Sequence, residues 1–137
     1  MRAAIALLGS LVFFVGNATA ANWVHLTDTD SAQVFIDTDS IAKWDGKIKA
    51  WFLYEYGGPQ TADHKKYLSS KDLAYFDCTE RSMVLVQIVR YEKQSGTGDV
   101  VSTIFIPMAP AWFEDVVPET LGETMQMFAC SVAGHGQ

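Results

Sequence analysis

Three histidines, two cysteines and two Asp-Thr-Asp runs are the residues of this 137-residue chain with the chemistry to ligate a metal or move a proton. A hydrolase needs a nucleophile beside a base, paired carboxylates in a cleft, or a metal. His25, His64 and His135 stand far apart with no recognisable constellation around any of them, and His135 falls in the tail Gly134-His135-Gly136-Gln137, the kind of terminus that frays. The runs Asp28-Thr29-Asp30 and Asp37-Thr38-Asp39 offer oxygens to a hard cation. Neither continues into the glycine and distal glutamate of a helix-loop-helix calcium site. Their residue types read instead as turn formers, whose side chains bond to nearby main chain. No enzymatic activity, metal or cofactor is therefore expected.

Two stretches could meet a partner. His64-Lys65-Lys66, with Lys71 nearby, is the only local basic cluster; it reads first as a solvated loop and second as a binding surface. Trp112-Phe113, beside Glu114-Asp115, is the other. Exposed aromatics carry interface energy, although Trp112 is also a core candidate.

Residues 1–20 read as a cleaved signal peptide, with Arg2 as the charged start, Ala3 to Val15 as the apolar run and Ala18-Thr19-Ala20 as the small-residue cleavage site. That run is shorter than the roughly 20 residues a spanning helix requires. The product, residues 21–137, is one domain and is not expected to insert in a membrane. No cysteine precedes Cys78, so no lipid-anchoring residue stands at the cleavage point, and the periplasm is the expected location, ahead of the cell surface or the medium. Loss of Arg2 takes the formal net charge from −6 to −7, a sign that disfavours nucleic acids and anionic membranes. The two cysteines, Cys78 and Cys130, are expected to be bridged in an oxidising compartment, which removes the thiolate a nucleophile would need.

The elements that must position these residues are mostly strands. Ser82 to Tyr91 places Val84, Val86 and Ile88 on one face and Met83, Leu85, Val89 and Tyr91 on the other. With both faces apolar, it is expected in the middle of a sheet, covered on at least one side. Trp23 to Leu26 reads as an edge strand and Val34 to Ile36 as a short second one. Lys47 to Tyr56 alternates, with Ile48, Ala50, Phe52, Tyr54 and Tyr56 on a buried face. Gly57-Gly58-Pro59 is expected to stop it and Gln60 to Lys66 to form a polar loop. Tyr67 to Asp77 and Val100 to Pro107 complete two hairpins around the Ser82 to Tyr91 strand. The only convincing helix of the exported chain starts at Thr120, which with Glu123 forms a capping box. Leu121, Met125, Phe128, Ala129 and Val132 form its apolar stripe. Cys130 points roughly away from that stripe, so either the helix loosens before it or the helix is covered both by the sheet and by the segment bearing Cys78.

Ser69-Ser70-Lys71, Phe76-Asp77-Cys78, Arg81, Tyr91 and Gly98-Asp99-Val100-Val101 together resemble the surface-adhesin protein E family of Gram-negative bacteria. The likeness extends upstream through Trp23, Phe35 to Asp37, Ser40-Ile41, Gly46 and Trp51 to Tyr56, and downstream through Trp112, Pro118, Thr120, Gly122 and Cys130. It implies an α+β domain: a single antiparallel sheet of about six strands, with a C-terminal helix held on one face by a Cys78–Cys130 bridge. It also implies an exported, non-enzymatic envelope protein. The family's namesake is a lipid-anchored surface adhesin that binds host matrix and plasma proteins, so host or envelope proteins are the implied partners. A homodimer is left open. The alternative from a different class is a periplasmic small-ligand-binding or inhibitor protein that uses a pocket between sheet and helix.

Overall fold

In a computed structural model the described residues are 20–135. The expected signal peptide lies outside them except for Ala20, as does the end of the C-terminal tail. The chain runs β1 (Trp23–Asp28), β2 (Ala32–Asp37), β3 (Ala42–Trp44), β4 (Lys47–Ala62), β5 (Lys65–Asp77), β6 (Ser82–Tyr91), β7 (Val100–Phe105), β8 (Glu114–Asp115) and α1 (Leu121–His135). All strands join one antiparallel sheet of order β1-β2-β4-β5-β6-β7. The six expected strands form that path. Two short ones extend it, β3 on the edge of β4 and β8 on the edge of β6.

The spine of the sheet is the β4–β5 hairpin rather than β6. β6 is interior, paired to β5 on one side and to β7 and β8 on the other, but only one strand from the edge. Its Val84 is buried, while Leu85 to Tyr91 are half-buried. An apolar run with both faces covered and one with both faces partly covered read alike in a sequence.

The alternation of β4 sets the core. Ile48, Ala50 and Phe52 are buried with Ala74 and Phe76 of β5, their cross-strand partners on the same face, and with Val34 and Ile36 of β2. Phe52 and Phe76 meet edge to face at 6.0 Å, a geometry aromatic pairs favour. α1 closes this face with Met125 and Ala129, which are buried.

Gly57-Gly58-Pro59 does not stop β4, and the expected polar loop is a continued hairpin. The register passes from Glu55↔Ser69 to Gln60↔Tyr67, so β4 carries extra residues there and absorbs the proline in a bulge. A bulge is where a residue without an N–H is tolerated inside a sheet. The turn follows at Asp63 and His64, both with positive φ, as a tight two-residue hairpin demands.

α1 begins with the expected cap at Thr120, but the reciprocal bond of the box goes to the N–H one residue before the cap and not to that of Thr120. The Glu123 N–H donates to Thr120 Oγ1 at 3.5 Å, and the Glu123 carboxylate accepts from the Glu119 N–H at 2.7 Å. The buried side of the helix is rotated from the expected stripe. Met125, Gln126 and Ala129 are buried, whereas Val132 is exposed. The rotation resolves the position of Cys130: the helix stays regular to His135, and Cys130 is reached by the turn after β5. Cys78 and Cys130 are bonded with their Cα atoms 5.9 Å apart, within the ordinary disulfide range.

Candidate interaction face

Strand alternation gives the sheet a second face, turned away from α1, and the cross-strand register decides what it displays. Trp51 of β4 pairs with Leu73, Lys49 with Tyr75, and Leu53 with Phe35 on one side and Lys71 on the other. Trp23 of β1 pairs with Asp37 on the same face, and Trp44 of β3 pairs with Lys47. Three of the four tryptophans therefore share the face opposite the helix. Tyr75, Tyr91 and Phe105 join them. Trp44 packs edge to face on Tyr75 at 5.6 Å and is 45% exposed, while Phe105 is 72% exposed.

Only the margins of this face are covered. At one end a 3-10 turn, Gln94–Gly96, folds over β4 and β5: the Gly96 N–H donates to Ser69 Oγ at 2.9 Å, and the Ser95 N–H donates to the Glu55 carboxylate. Beneath it Lys71 extends between aromatic rings, 5.2 Å from Tyr91 and 5.9 Å from Trp23. Such contacts hold the ammonium by the ring quadrupole and pack the stem on apolar surface.

The other end carries a groove of about 400 Å³ between β3, the β5–β6 turn and the segment leading to β8. Trp44 and Phe113 are among its walls, and Asp45, Glu80 and Asp115 line it. Within it Lys47 Nζ is 3.0 Å from Asp77 Oδ2 and 5.7 Å from the Phe113 ring centroid. Main-chain donation from Glu80, helped by Lys47, holds the Asp77 carboxyl below its usual range.

The helix-side face has a polar cluster that begins where Tyr54 meets α1. Asp72, between Phe52 and Ile88, is buried, and its Oδ1 has no partner. Burial pushes this carboxyl up to about 6 against the opposing pull of the Ser70 hydroxyl and the Arg90 guanidinium. Burial likewise pushes up the Tyr54 phenol, which contacts Met125 Sδ at 3.7 Å. Tyr56 approaches the Ser70 hydroxyl at 3.5 Å and the Tyr67 ring edge to face at 5.5 Å, and Arg90 lies 5.2 Å over Tyr67.

The residues singled out from sequence are not brought together. His64, Lys65 and Lys66 are exposed at the β4–β5 tip, while Phe113 rests on Lys47 at the start of β4. A 16-residue strand separates the two, roughly 50 Å if fully extended. Lys71 belongs to the aromatic face and not to the tip. Trp112 is 55% exposed and Phe113 is half-buried. His25 meets Asp28 at 2.8 Å and stacks edge to face on Phe35 at 5.4 Å. Of the Asp-Thr-Asp runs, Asp37 Oδ1 accepts from the N–H groups of Asn22 and Asp39, which is turn chemistry. The aromatic face went unread as a unit because its tryptophans come from three strands, and only the register shows that they share a side. Its one sequence trace is the minor face of β4, Lys47 to Glu55, where Trp51 and Leu53 alternate with the core residues.

The family model for surface-adhesin protein E matches residues 23–131. Crystal structures of Haemophilus influenzae protein E share the fold. One aligns at a TM-score of 0.62 and 11% identity, covering 89% of this chain and 93% of that one. A second crystal form aligns at 0.63 and 12%, covering 91% and 99%. The structure from the non-typeable organism aligns at 0.62 and 12%, covering 88% and 83%. No curated protein matches the chain significantly.

Proposed function

Because the chain belongs to the surface-adhesin protein E family, we propose that it is an exported, non-enzymatic protein of the cell envelope that binds other proteins through the sheet face opposite α1. The observation that carries this reading is the gathering of Trp23, Trp44 and Trp51 on a face that, among the described residues, is covered only at its margins. Tryptophan and tyrosine are the residues that concentrate binding energy when a partner excludes water from them. A sheet that needed only a core would keep such area on the helix side, where Phe52 and Phe76 already fill it. The net negative charge supports a protein partner over nucleic acid.

Photo-crosslinking in the native envelope tests the reading. A photoreactive residue at Trp51 is expected to give discrete protein adducts, and one at Met127, which is 62% exposed on α1, is expected to give none. Equal adducts from both positions, or none from Trp51, would defeat the proposal.

A further inference from the structure

We propose that the groove at the foot of the aromatic face takes a lysine or arginine side chain presented by a partner protein. This deepens the reading above and rests on it for the partner being a protein. The lining carries four carboxylates, Asp45, Asp77, Glu80 and Asp115, against one ammonium, Lys47. Lys47 is already matched to Asp77 at 3.0 Å. Asp45, Glu80 and Asp115 have no ion-pair partner among the described residues, so the surplus negative charge is free to meet a cation.

Charge alone would not make a site, and two further features shape it. The walls are aromatic: Trp44 is 45% exposed, and the Phe113 ring already holds a cation, Lys47 Nζ, 5.7 Å from its centroid. The chain thus displays in itself the contact a second cation would make. Ser82 also lines the groove and is 8% exposed. A hydroxyl in that position gives a donor such as an ammonium or guanidinium N–H an acceptor beyond the rim carboxylates. Met108 and Pro110 supply apolar surface for a methylene stem. An anion would meet the carboxylates, and a purely apolar side chain would leave Ser82 and the charges unused.

Titration of the isotopically labelled full exported chain by NMR tests this with defined probes: a short peptide with one central lysine, the same peptide with arginine, the same with norleucine, and free putrescine. The lysine and arginine peptides are expected to shift the Trp44 indole and Phe113 ring signals, with the norleucine peptide about tenfold weaker. Glu80→Gln with Asp115→Asn is expected to weaken the lysine peptide by about three- to tenfold and to leave the norleucine peptide unchanged, because both carboxylates are exposed and removable without touching the core. The proposal is overturned if the norleucine peptide binds as well as the lysine peptide, if no probe moves these signals, or if putrescine binds as tightly as the lysine peptide, which would make the ligand a free amine. This titration is indifferent to the crosslinking result at Trp51. Adducts there without groove binding would leave the adhesin-type reading standing, and groove binding without adducts would remove that reading alone.

Discussion

The side-chain amide of Gln126 donates to the main-chain carbonyl of Asp77 at 3.2 Å, one residue before Cys78 and one helical turn before Cys130. The helix is thus tied twice to the same turn, once by a hydrogen bond and once covalently. Gln126 is 4% exposed, so its amide was withdrawn from water to make this contact. Leaving the Asp77 carbonyl without that donor should cost about 1–2 kcal/mol. Gln126→Ala is expected to lower the urea midpoint accordingly, with the m-value unchanged. A loss below a few tenths of a kcal/mol would mean that water replaces the amide.

Asp72 predicts a pH dependence with a definite sign. Its carboxyl is raised to about 6 by burial, against about 3.9 in an unfolded chain. A raised carboxyl contributes stability that is fully present below the unfolded value and is lost as pH climbs through the folded one. Between pH ~4 and ~6 the domain should therefore lose on the order of 1–3 kcal/mol from this group. Arg90 is the charged group acting on it, and the Asp72 carboxylate in turn helps to raise the Tyr54 and Tyr56 phenols. Asp72→Asn should be more stable than the parent at pH 8 and indistinguishable from it near pH 4, as read by chemical denaturation at both. The same difference at the two pH values would show that the carboxyl is not ionised in place. Asp77, whose carboxyl is lowered, acts in the opposite direction and only at lower pH, as pH falls through its folded value.

The strands of this fold were legible because alternation is a local signal: Ile48, Ala50 and Phe52 declare their face without reference to any other strand. The helix cap at Thr120 was local as well. What escaped depended on partners distant in sequence. Gly57-Gly58-Pro59 reads as a stop, yet β5 runs long enough to hold the strand through a bulge. Gln126 reads as a solvent residue, and only the turn carbonyl of Asp77 makes burying it worthwhile. Trp23, Trp44 and Trp51 read as isolated aromatics until the register aligns them. Asp72 gave no sign at all, since a lone aspartate in an alternating strand belongs equally well to either face.

Trp112 and Phe113 are neighbours that should respond differently. Trp112 is 55% exposed, and truncating a side chain so placed usually changes stability by no more than about 0.5 kcal/mol. Phe113 is half-buried over Lys47, so Phe113→Ala should cost about 1–2 kcal/mol through lost apolar contact. Thermal melts of the two variants check the contrast, and a larger loss from Trp112→Ala would reverse their assigned roles.

Gly122, in the first turn of α1, packs against Met83. A Cβ there would stand 3.1 Å from Met83 Sδ, a contact with the mobile end of a flexible side chain. Glycine costs a helix interior roughly 0.5–1 kcal/mol relative to alanine, so a small shift of Met83 should leave a net gain. Gly122→Ala is expected to stabilise the protein by up to about 0.5 kcal/mol. A loss greater than about 1 kcal/mol would show that Met83 is held in place by its own packing.

The disulfide is the stronger of the two ties. Cys78 and Cys130 close a span of 52 residues, for which the chain-entropy account gives about 4 kcal/mol, reduced in practice by structure that persists in the unfolded chain. Without it, α1 keeps Met125 and Ala129 in the core, the Gln126 bond to Asp77 and the Arg81–Glu123 ion pair at 3.1 Å. The ion pair is exposed on its arginine side and adds little. A 15-residue helix is marginal by itself in water and depends on its docked face. Cys78→Ser with Cys130→Ser should therefore destabilise the domain by about 2–4 kcal/mol, a fall in Tm on the order of 10 °C. Proteolysis should then cut after Pro118 before it cuts the β4–β5 hairpin, because the helix opens while the sheet persists. Adding Gln126→Ala to the serine pair should cost more than Gln126→Ala does in the bridged protein, since the hydrogen bond then becomes the main specific tie to that turn. Additive losses, or a serine variant that melts with the parent, would show that apolar packing alone keeps the helix in place.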